Sequence, residues 1–171
     1  GNLAADTGSK PEPARYEGPY ALHLDGQAAP LPQRSTHVGN RFAYLAGGRL
    51  VVPGPNKPAW SLNVYFWSGL APTDRDITGT LLAADNGETL AIGGKSGHAG
   101  KLVYTAADGT TLVGKADVKP RTWHHLTIDR SAGTVEVRLD ETTDLSGKTG
   151  ESKPARSFGI GGGAEASARF E

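Results

Sequence analysis

The sequence predicts an all-β protein of one domain, and three observations support this prediction. Short stretches of alternating apolar and polar residues recur from Tyr20 onward, with turn residues between them. The chain contains 24 Gly and 11 Pro, which disfavour long helices. Helical periodicity is absent, and 171 residues are enough for a single hydrophobic core. These features are typical of an antiparallel sandwich or barrel.

The N-terminal segment differs in composition from the rest. Residues 1–16 have almost no large apolar side chains, and Pro11 and Pro13 disfavour a helix there. We therefore predict a flexible linker over 1–16 and one domain over 17–171. Because the sequence has no Met and starts at Gly1, we expect an excised domain of a larger protein or a processed product.

Charge and composition exclude several functional classes. Eighteen Lys and Arg balance 18 Asp and Glu, so no net field attracts nucleic acid. No stretch is long and apolar enough for a membrane span. The absence of Cys excludes disulfides, thiolate metal sites and a cysteine nucleophile.

The clearest predicted strand runs from Trp60 to Trp67. Its alternation places Leu62, Val64 and Phe66 on one face, which we expect in the core of a central strand. The opposite face carries Ser61, Asn63, Tyr65 and Trp67. We interpret Trp60 and Trp123 as packing residues.

Three hairpins are predicted further along the chain, because turn sequences separate pairs of alternating strands. The turns are 85–88, with Asn-Gly at its centre, 108–109, which is Asp-Gly, and 130–133, which ends in Gly. Because the three hairpins are consecutive, we predict that their strands form a single antiparallel meander.

Several segments, in order, resemble the bacterial LamG-like jelly-roll family of the concanavalin A-like lectin/glucanase superfamily. The most specific is Trp-His-His followed by alternating apolar residues, a turn, and a strand that ends in Leu-Asp; Glu141 stands where the family usually has Gly. The matching segments are 121–129, 134–140, the opening strand 21–26, the strand 61–67, 79–82 and the Gly-rich stretch 158–163.

The resemblance implies a two-sheet antiparallel jelly-roll sandwich with one concave sheet. In that superfamily the concave face or its rim often holds saccharides, some members bind calcium, and others only mediate protein contacts. It also implies an extracytoplasmic location, at the cell surface or in the periplasm. The family usually has a further strand after the segment that matches 168–171, so we expect the domain to lack its last strand or to shorten it.

Catalytic residues are not predicted. Glycosidases of this superfamily carry Glu-x-Asp-x-Glu or Glu-x-Asp-x-x-Glu on one strand, so that the carboxylates project into one cleft. The nearest approaches here are Asp74-Arg75-Asp76 in a loop and the alternating series Glu136, Arg138, Asp140, which has a cation in the middle. Glycoside hydrolysis is therefore the least favoured function.

Two further motifs have simpler structural interpretations. His124 and His125 are adjacent on a strand, so their rings point to opposite faces and cannot chelate one metal ion. We expect one ring to hydrogen-bond within the fold and the other to be half-exposed. The stretch 159–164 fits the dinucleotide pattern G-x-G-x-x-A, but it lacks the helix that this site needs.

Calcium is an alternative ligand, because the predicted loops contain several residues with side-chain oxygen atoms. Calcium needs oxygen ligands, although Asp and Asn in loops more often serve to form turns. The densest group of such residues is Asp74, Asp76, Asp85, Asn86 and Glu88.

The best candidate for a ligand-binding surface is the face formed by Asn63, Tyr65 and Trp67. Aromatic rings stack on the apolar faces of sugars, and an amide hydrogen-bonds their hydroxyl groups. The alternative is that these rings pack beneath a neighbouring element. We predict a non-catalytic module, with a glycan as its first expected partner. The alternative is a structural or regulatory domain that binds another protein or another domain of its parent.

Overall fold

The computed structural model describes residues 3–4, 13–25 and 41–162. Fourteen strands lie in these ranges, and no helix does. The strands are β1 Leu3–Ala4, β2 Ala14–Glu17, β3 Ala21–Asp25, β4 Arg41–Tyr44, β5 Arg49–Pro53, β6 Trp60–Trp67, β7 Ile77–Ala84, β8 Thr89–Gly94, β9 Gly97–Thr105, β10 Thr111–Val113, β11 Trp123–Ser131, β12 Thr134–Leu139, β13 Thr142–Lys148 and β14 Ser157–Ile160. The described part of the chain contains no helix with the length and hydropathy needed to cross a membrane.

Two antiparallel sheets share one hydrophobic core, so the predicted all-β sandwich is confirmed. The large sheet has the order β1-β2-β5-β14-β7-β8-β9-β10, and the small sheet has the order β13-β12-β11-β6. Leu82, Leu90 and Tyr104 of the large sheet belong to the same buried cluster as Leu126 and Val137 of the small sheet. A third ladder joins β3 to β4. The outer face of the small sheet is not part of this core, and on β6 it carries polar and aromatic side chains.

The predicted faces of β6 are confirmed, but its predicted central position is not. Phe66 is buried, and Leu62 and Val64 are partly buried against the core. Among the described residues, β6 pairs on one side only, with β11, so it is an edge strand of the small sheet. Alternation reports which side of a strand is buried, and it does not report how many neighbours the strand has.

The three predicted hairpins form, but they are divided between the sheets. The strand pairs β7–β8 and β9–β10 lie in the large sheet, whereas β11–β12 lies in the small sheet. The first two turns place Gly87 and Gly109 at positive φ, as their sequences predict. A single meander is therefore the wrong prediction, because the connection from β10 to β11 crosses from one sheet to the other.

The N-terminal boundary also differs from the prediction. Ala14–Glu17 forms β2, which pairs with β5, so the large sheet begins inside the predicted linker. Arg49 supports this pairing by donating two hydrogen bonds to Glu17, at 2.8 and 2.9 Å. The predicted opening strand, β3, instead pairs with β4 in the separate ladder. Residues 1–2 and 5–12 of the predicted linker lie outside the described residues.

At the other end of the chain, the first residues of the Gly-rich stretch belong to a strand. The strand β14 pairs with both β5 and β7, so residues 159 and 160 belong to the large sheet, whereas residues 163 and 164 of the stretch lie outside the described residues. The expectation that the family's last strand is missing concerns residues 163–171, which lie outside the described residues. It stays a prediction.

A buried ion pair connects the two sheets. Glu88, in the β7–β8 turn, is fully buried, and its Oε1 accepts a hydrogen bond of 2.9 Å from Nε of Arg130 on β11. The Arg130 guanidinium also donates to the carbonyl oxygens of Ser131, Thr134 (2.9 Å) and Gly150 (3.1 Å). Burial raises the pKa of the Tyr104 hydroxyl, and the nearby Glu88 carboxylate raises it further. The pair thus lies beside Tyr104, a core residue of the large sheet.

The turn between β12 and β13 carries backbone strain at a position where the resembled family has Gly. Asp140 and Glu141 both have positive φ, 50° and 68°, as a two-residue hairpin of type I′ requires. We expect Glu141→Gly to stabilise the fold by about 0.5–1 kcal/mol, because Gly adopts this conformation without a steric cost. Chemical denaturation measures the gain.

The matched control is Asp140→Gly. The Asp140 carboxylate accepts a hydrogen bond from the backbone N–H of His125 at 2.9 Å and contacts Nδ1 of His124 at 2.8 Å. This variant should destabilise the protein, since it loses both contacts. A lower stability of Glu141→Gly than of the wild type would contradict the strain argument.

Candidate functional site

The predicted ligand face lies on the outer surface of the small sheet. In β6 the residues that alternate with the buried positions are Ser61, Asn63, Tyr65 and Trp67, and they point away from the core. The register with β11 places His125 opposite Tyr65, and Trp123 opposite Trp67. We call Asn63, Tyr65, Trp67 and His125 the aromatic face. It is open to solvent, since Asn63 is exposed and the exposed fraction of Trp67 is 38%.

Contacts among Asn63, Tyr65 and His125 fix the relative positions of these three members of the aromatic face. The rings of Tyr65 and His125 are stacked, with centroids 4.5 Å apart and planes 12° apart. Nε2 of His125 lies 2.5 Å from Oδ1 of Asn63, so the imidazole donates and the amide oxygen accepts. The Asn63 amide nitrogen then points its donors outward, with no partner among the described residues. A flat aromatic platform and an available amide donor therefore lie side by side.

Sequence reasoning missed His125 as a member of this face. The alternation within β11 predicts the side of the sheet on which the His125 ring lies. Its position opposite Tyr65 depends on the register between two strands that are about sixty residues apart in sequence. Trp123, at the end of the face, is partly buried, and its ring meets that of Phe42 edge to face, with centroids 5.8 Å apart. Trp60 is buried and packs on Phe158, which confirms its predicted packing role.

The two adjacent histidines are separated by the sheet, as predicted. His124 is buried, with Nδ1 at 2.8 Å from the Asp140 carboxylate and Nε2 at 2.9 Å from the carbonyl oxygen of Lys119. These two contacts hold the His124 ring in one orientation. His124 therefore anchors the turn after β12, and only His125 faces the solvent side of the sheet.

A groove continues the outer surface of the small sheet beyond Asn63. Its volume is about 560 Å³, and Ser61, Asp129, Glu136, Ser146 and Lys148 contribute to its lining. The Asp129 carboxylate lies opposite Ser61 and accepts a hydrogen bond of 2.6 Å from its hydroxyl group. Glu136 lies opposite Asp129 and is paired with Arg138 at 2.7 Å. We call this surface the Asp129 groove.

The five predicted calcium ligands do not form one site. Asp74 and Asp76 precede β7, whereas Asp85, Asn86 and Glu88 follow it, so the eight residues of the strand separate the two groups. That separation is about 25 Å at the rise of a β-strand. The second group is also engaged within the fold: Asp85 accepts hydrogen bonds from Arg156, Asn86 donates to Ser152, and Glu88 pairs with Arg130. In the described part of the chain no three His, Asp or Glu side chains are grouped closely enough to hold a metal ion.

Comparisons with known proteins agree with the observed architecture. The structure is similar to domain 4 of AbnA, a GH43 extracellular arabinanase from Geobacillus stearothermophilus, in a structure that contains arabinotriose. The TM-score is 0.63 at 17% identity, over 93% of this chain and 77% of that chain. The chain shares the β-sandwich fold of that domain. The match to domains LG4-5 of the mouse laminin α1 chain has a TM-score of 0.42 at 14% identity, over 72% of this chain and 38% of that chain. No family model and no curated protein matches the sequence.

Proposed function

We propose that this protein is a non-catalytic module that binds carbohydrate through the aromatic face. The observation that carries the proposal is the solvent-open surface on which Tyr65 and Trp67 lie beside Asn63. Pyranose and furanose rings have apolar C–H faces that stack on aromatic rings, and their hydroxyl groups need hydrogen-bond partners. The surface supplies both kinds of contact, and the Tyr65–His125 stack keeps the platform rigid before any ligand arrives.

The similarity to domain 4 of AbnA suggests which sugar to test first. That domain was solved with arabinotriose, so arabino-oligosaccharides are the first ligands to test for this chain. AbnA is an extracellular enzyme, which supports the extracytoplasmic location that we propose. A catalytic role has less support. Glu136 is bound to Arg138, and the carboxylates around β7 are far apart.

We expect Tyr65→Ala and Trp67→Ala each to weaken the binding of arabinotriose, or of the best glycan from an array, by tenfold or more. Residues at the centre of a binding surface typically contribute on this scale. Calorimetric titration, with and without calcium, measures the loss and tests calcium dependence at the same time. Val113→Ala is the matched control, since Val113 is also a partly exposed apolar residue (37%) but belongs to the large sheet. Unchanged affinity in both aromatic variants would exclude the aromatic face as the site.

A protein-binding role is the second candidate, and one observation favours it. On the large sheet, Ala91, Val103 and Val113 lie side by side on three neighbouring strands, and each alternates with a residue that faces the core. This row forms a smooth apolar strip on the outer face, which suits contact with another protein or domain. Binding of such a partner should be unaffected by the Tyr65 and Trp67 variants and weakened by Val113→Asp. The same set of variants therefore separates the two functions.

A further inference from the structure

The Asp129 groove and the aromatic face form one continuous surface along β6. Trp67, Tyr65, Asn63 and Ser61 succeed one another on the outward side of this strand, and Asp129 lies directly opposite Ser61. Trp67 is the sixth residue after Ser61 in the strand, which corresponds to about 20 Å. A single sugar ring stacked on Tyr65 would leave the groove empty, whereas a chain of several sugars along β6 would reach it.

The groove contains the groups that recognise hydroxyl donors. The Asp129 carboxylate has a single partner among the described residues, the Ser61 hydroxyl, and it keeps further lone pairs for a ligand. The neighbouring Glu136 is paired with the cationic Arg138 and also accepts from the Thr143 hydroxyl, both through Oε1, at 2.7 and 3.2 Å. Arg130 points inward to Glu88 and does not neutralise Asp129. Asp129 is therefore the carboxylate nearest to the aromatic face that has no ion-pair partner among the described residues.

We propose that the Asp129 groove is a second sugar subsite, and that the ligand is a neutral oligosaccharide that runs along β6 from Trp67 to Asp129. This inference rests on the proposed function. Asp129 would accept hydrogen bonds from sugar hydroxyl groups, and charge-assisted hydrogen bonds of this kind are stronger than neutral ones.

The position of the charges explains why the ligand should be neutral. A uronate or sulfate group in the groove would face the Asp129 carboxylate at close range. The lysine of the groove, Lys148, lies on β13, two strands from Asp129 on β11, which corresponds to about 10 Å across the sheet. The nearer cation, Arg138, is paired with Glu136, so neither side chain serves as an ion-pair partner for Asp129.

The test measures affinity as a function of ligand length. We expect linear arabinohexaose to bind about tenfold more tightly than arabinotriose, because the longer chain adds hydrogen bonds to a charged group. In Asp129→Ala this gain should disappear while the affinity for arabinotriose is retained, and Asp129→Asn should keep part of it, since the amide oxygen still accepts. If the array identifies another glycan, its three- and six-residue oligomers replace these ligands. Oligogalacturonate of the same length should bind more weakly than the neutral chain.

The control variant is Asp117→Asn, which changes an exposed carboxylate near the large sheet that pairs with Lys101. It should retain the dependence on length. Any of three results would overturn the second subsite: equal affinities for the short and long ligands, a wild-type length dependence in Asp129→Ala, or stronger binding of oligogalacturonate than of the neutral chain. If glycan binding still requires Tyr65 and Trp67 in these cases, the proposed function is left intact. A complete absence of glycan binding would overturn both.

Discussion

Replacing Arg130 with Met is expected to lower the free energy of unfolding by about 3–5 kcal/mol, because it leaves the Glu88 carboxylate buried without its ion-pair partner. Glu88 has no exposed surface, and the exposed fraction of the Arg130 side chain is 1%. The loss would be a large part of the 5–15 kcal/mol that typically stabilises a domain. Urea denaturation of the wild type and the variant measures it.

A double-variant cycle separates the pair from the other contacts of Arg130. We expect Glu88→Gln to be destabilising on its own, and Glu88→Gln with Arg130→Met to lose less than the sum of the two single variants, because neither charge then remains unpaired. The hydrogen bonds from Arg130 to the carbonyl oxygens of Thr134 and Gly150 are lost whenever Arg130 is replaced. Strict additivity would show that the pair does not couple the two sheets.

Phe66→Ala is expected to cost about 3–5 kcal/mol, the usual range for removing a buried aromatic side chain from a core. Phe66 is 7% exposed, and its ring lies 5.4 Å from the buried His124 ring. The variant would leave a cavity where β6 meets β11. Chemical denaturation measures the cost.

Its control is Trp67→Ala, the next residue along the same strand. Trp67 is on the opposite side of the sheet and is 38% exposed, so its loss should cost much less stability while it weakens glycan binding. The two neighbouring aromatics thus separate folding from binding. A loss below about 1 kcal/mol for Phe66→Ala would mean that the faces of β6 are reversed.

Within single strands, the sequence alone was sufficient. The alternation from Trp60 to Trp67 predicts which residues of β6 are buried and which form the aromatic face, because successive side chains of a strand point to opposite sides. The turn residues at Gly87 and Gly109 predict two hairpins, since positive φ is a local requirement. The opposite orientations of His124 and His125 follow from the same periodicity.

The relations between distant strands required the tertiary structure. The position of β6 at an edge, the division of the hairpins between two sheets and the entry of β2 into the large sheet all depend on which strands pair. Alternation carries no information on pairing partners, and a slip of one residue in register would reverse every side chain of a strand. The engagement of two calcium candidates also depends on distant partners, since Asp85 accepts from Arg156 and Glu88 pairs with Arg130.

The candidate site shows both contributions. Asn63, Tyr65 and Trp67 were predictable because they alternate on one strand, whereas His125 and Asp129 join them only through the pairing of β6 with β11. The ion pair between Glu88 and Arg130 was likewise invisible, since each side chain is a plausible surface charge until two sheets enclose it. Periodicity thus determined the sides of each strand, and packing between the sheets decided which residues became neighbours.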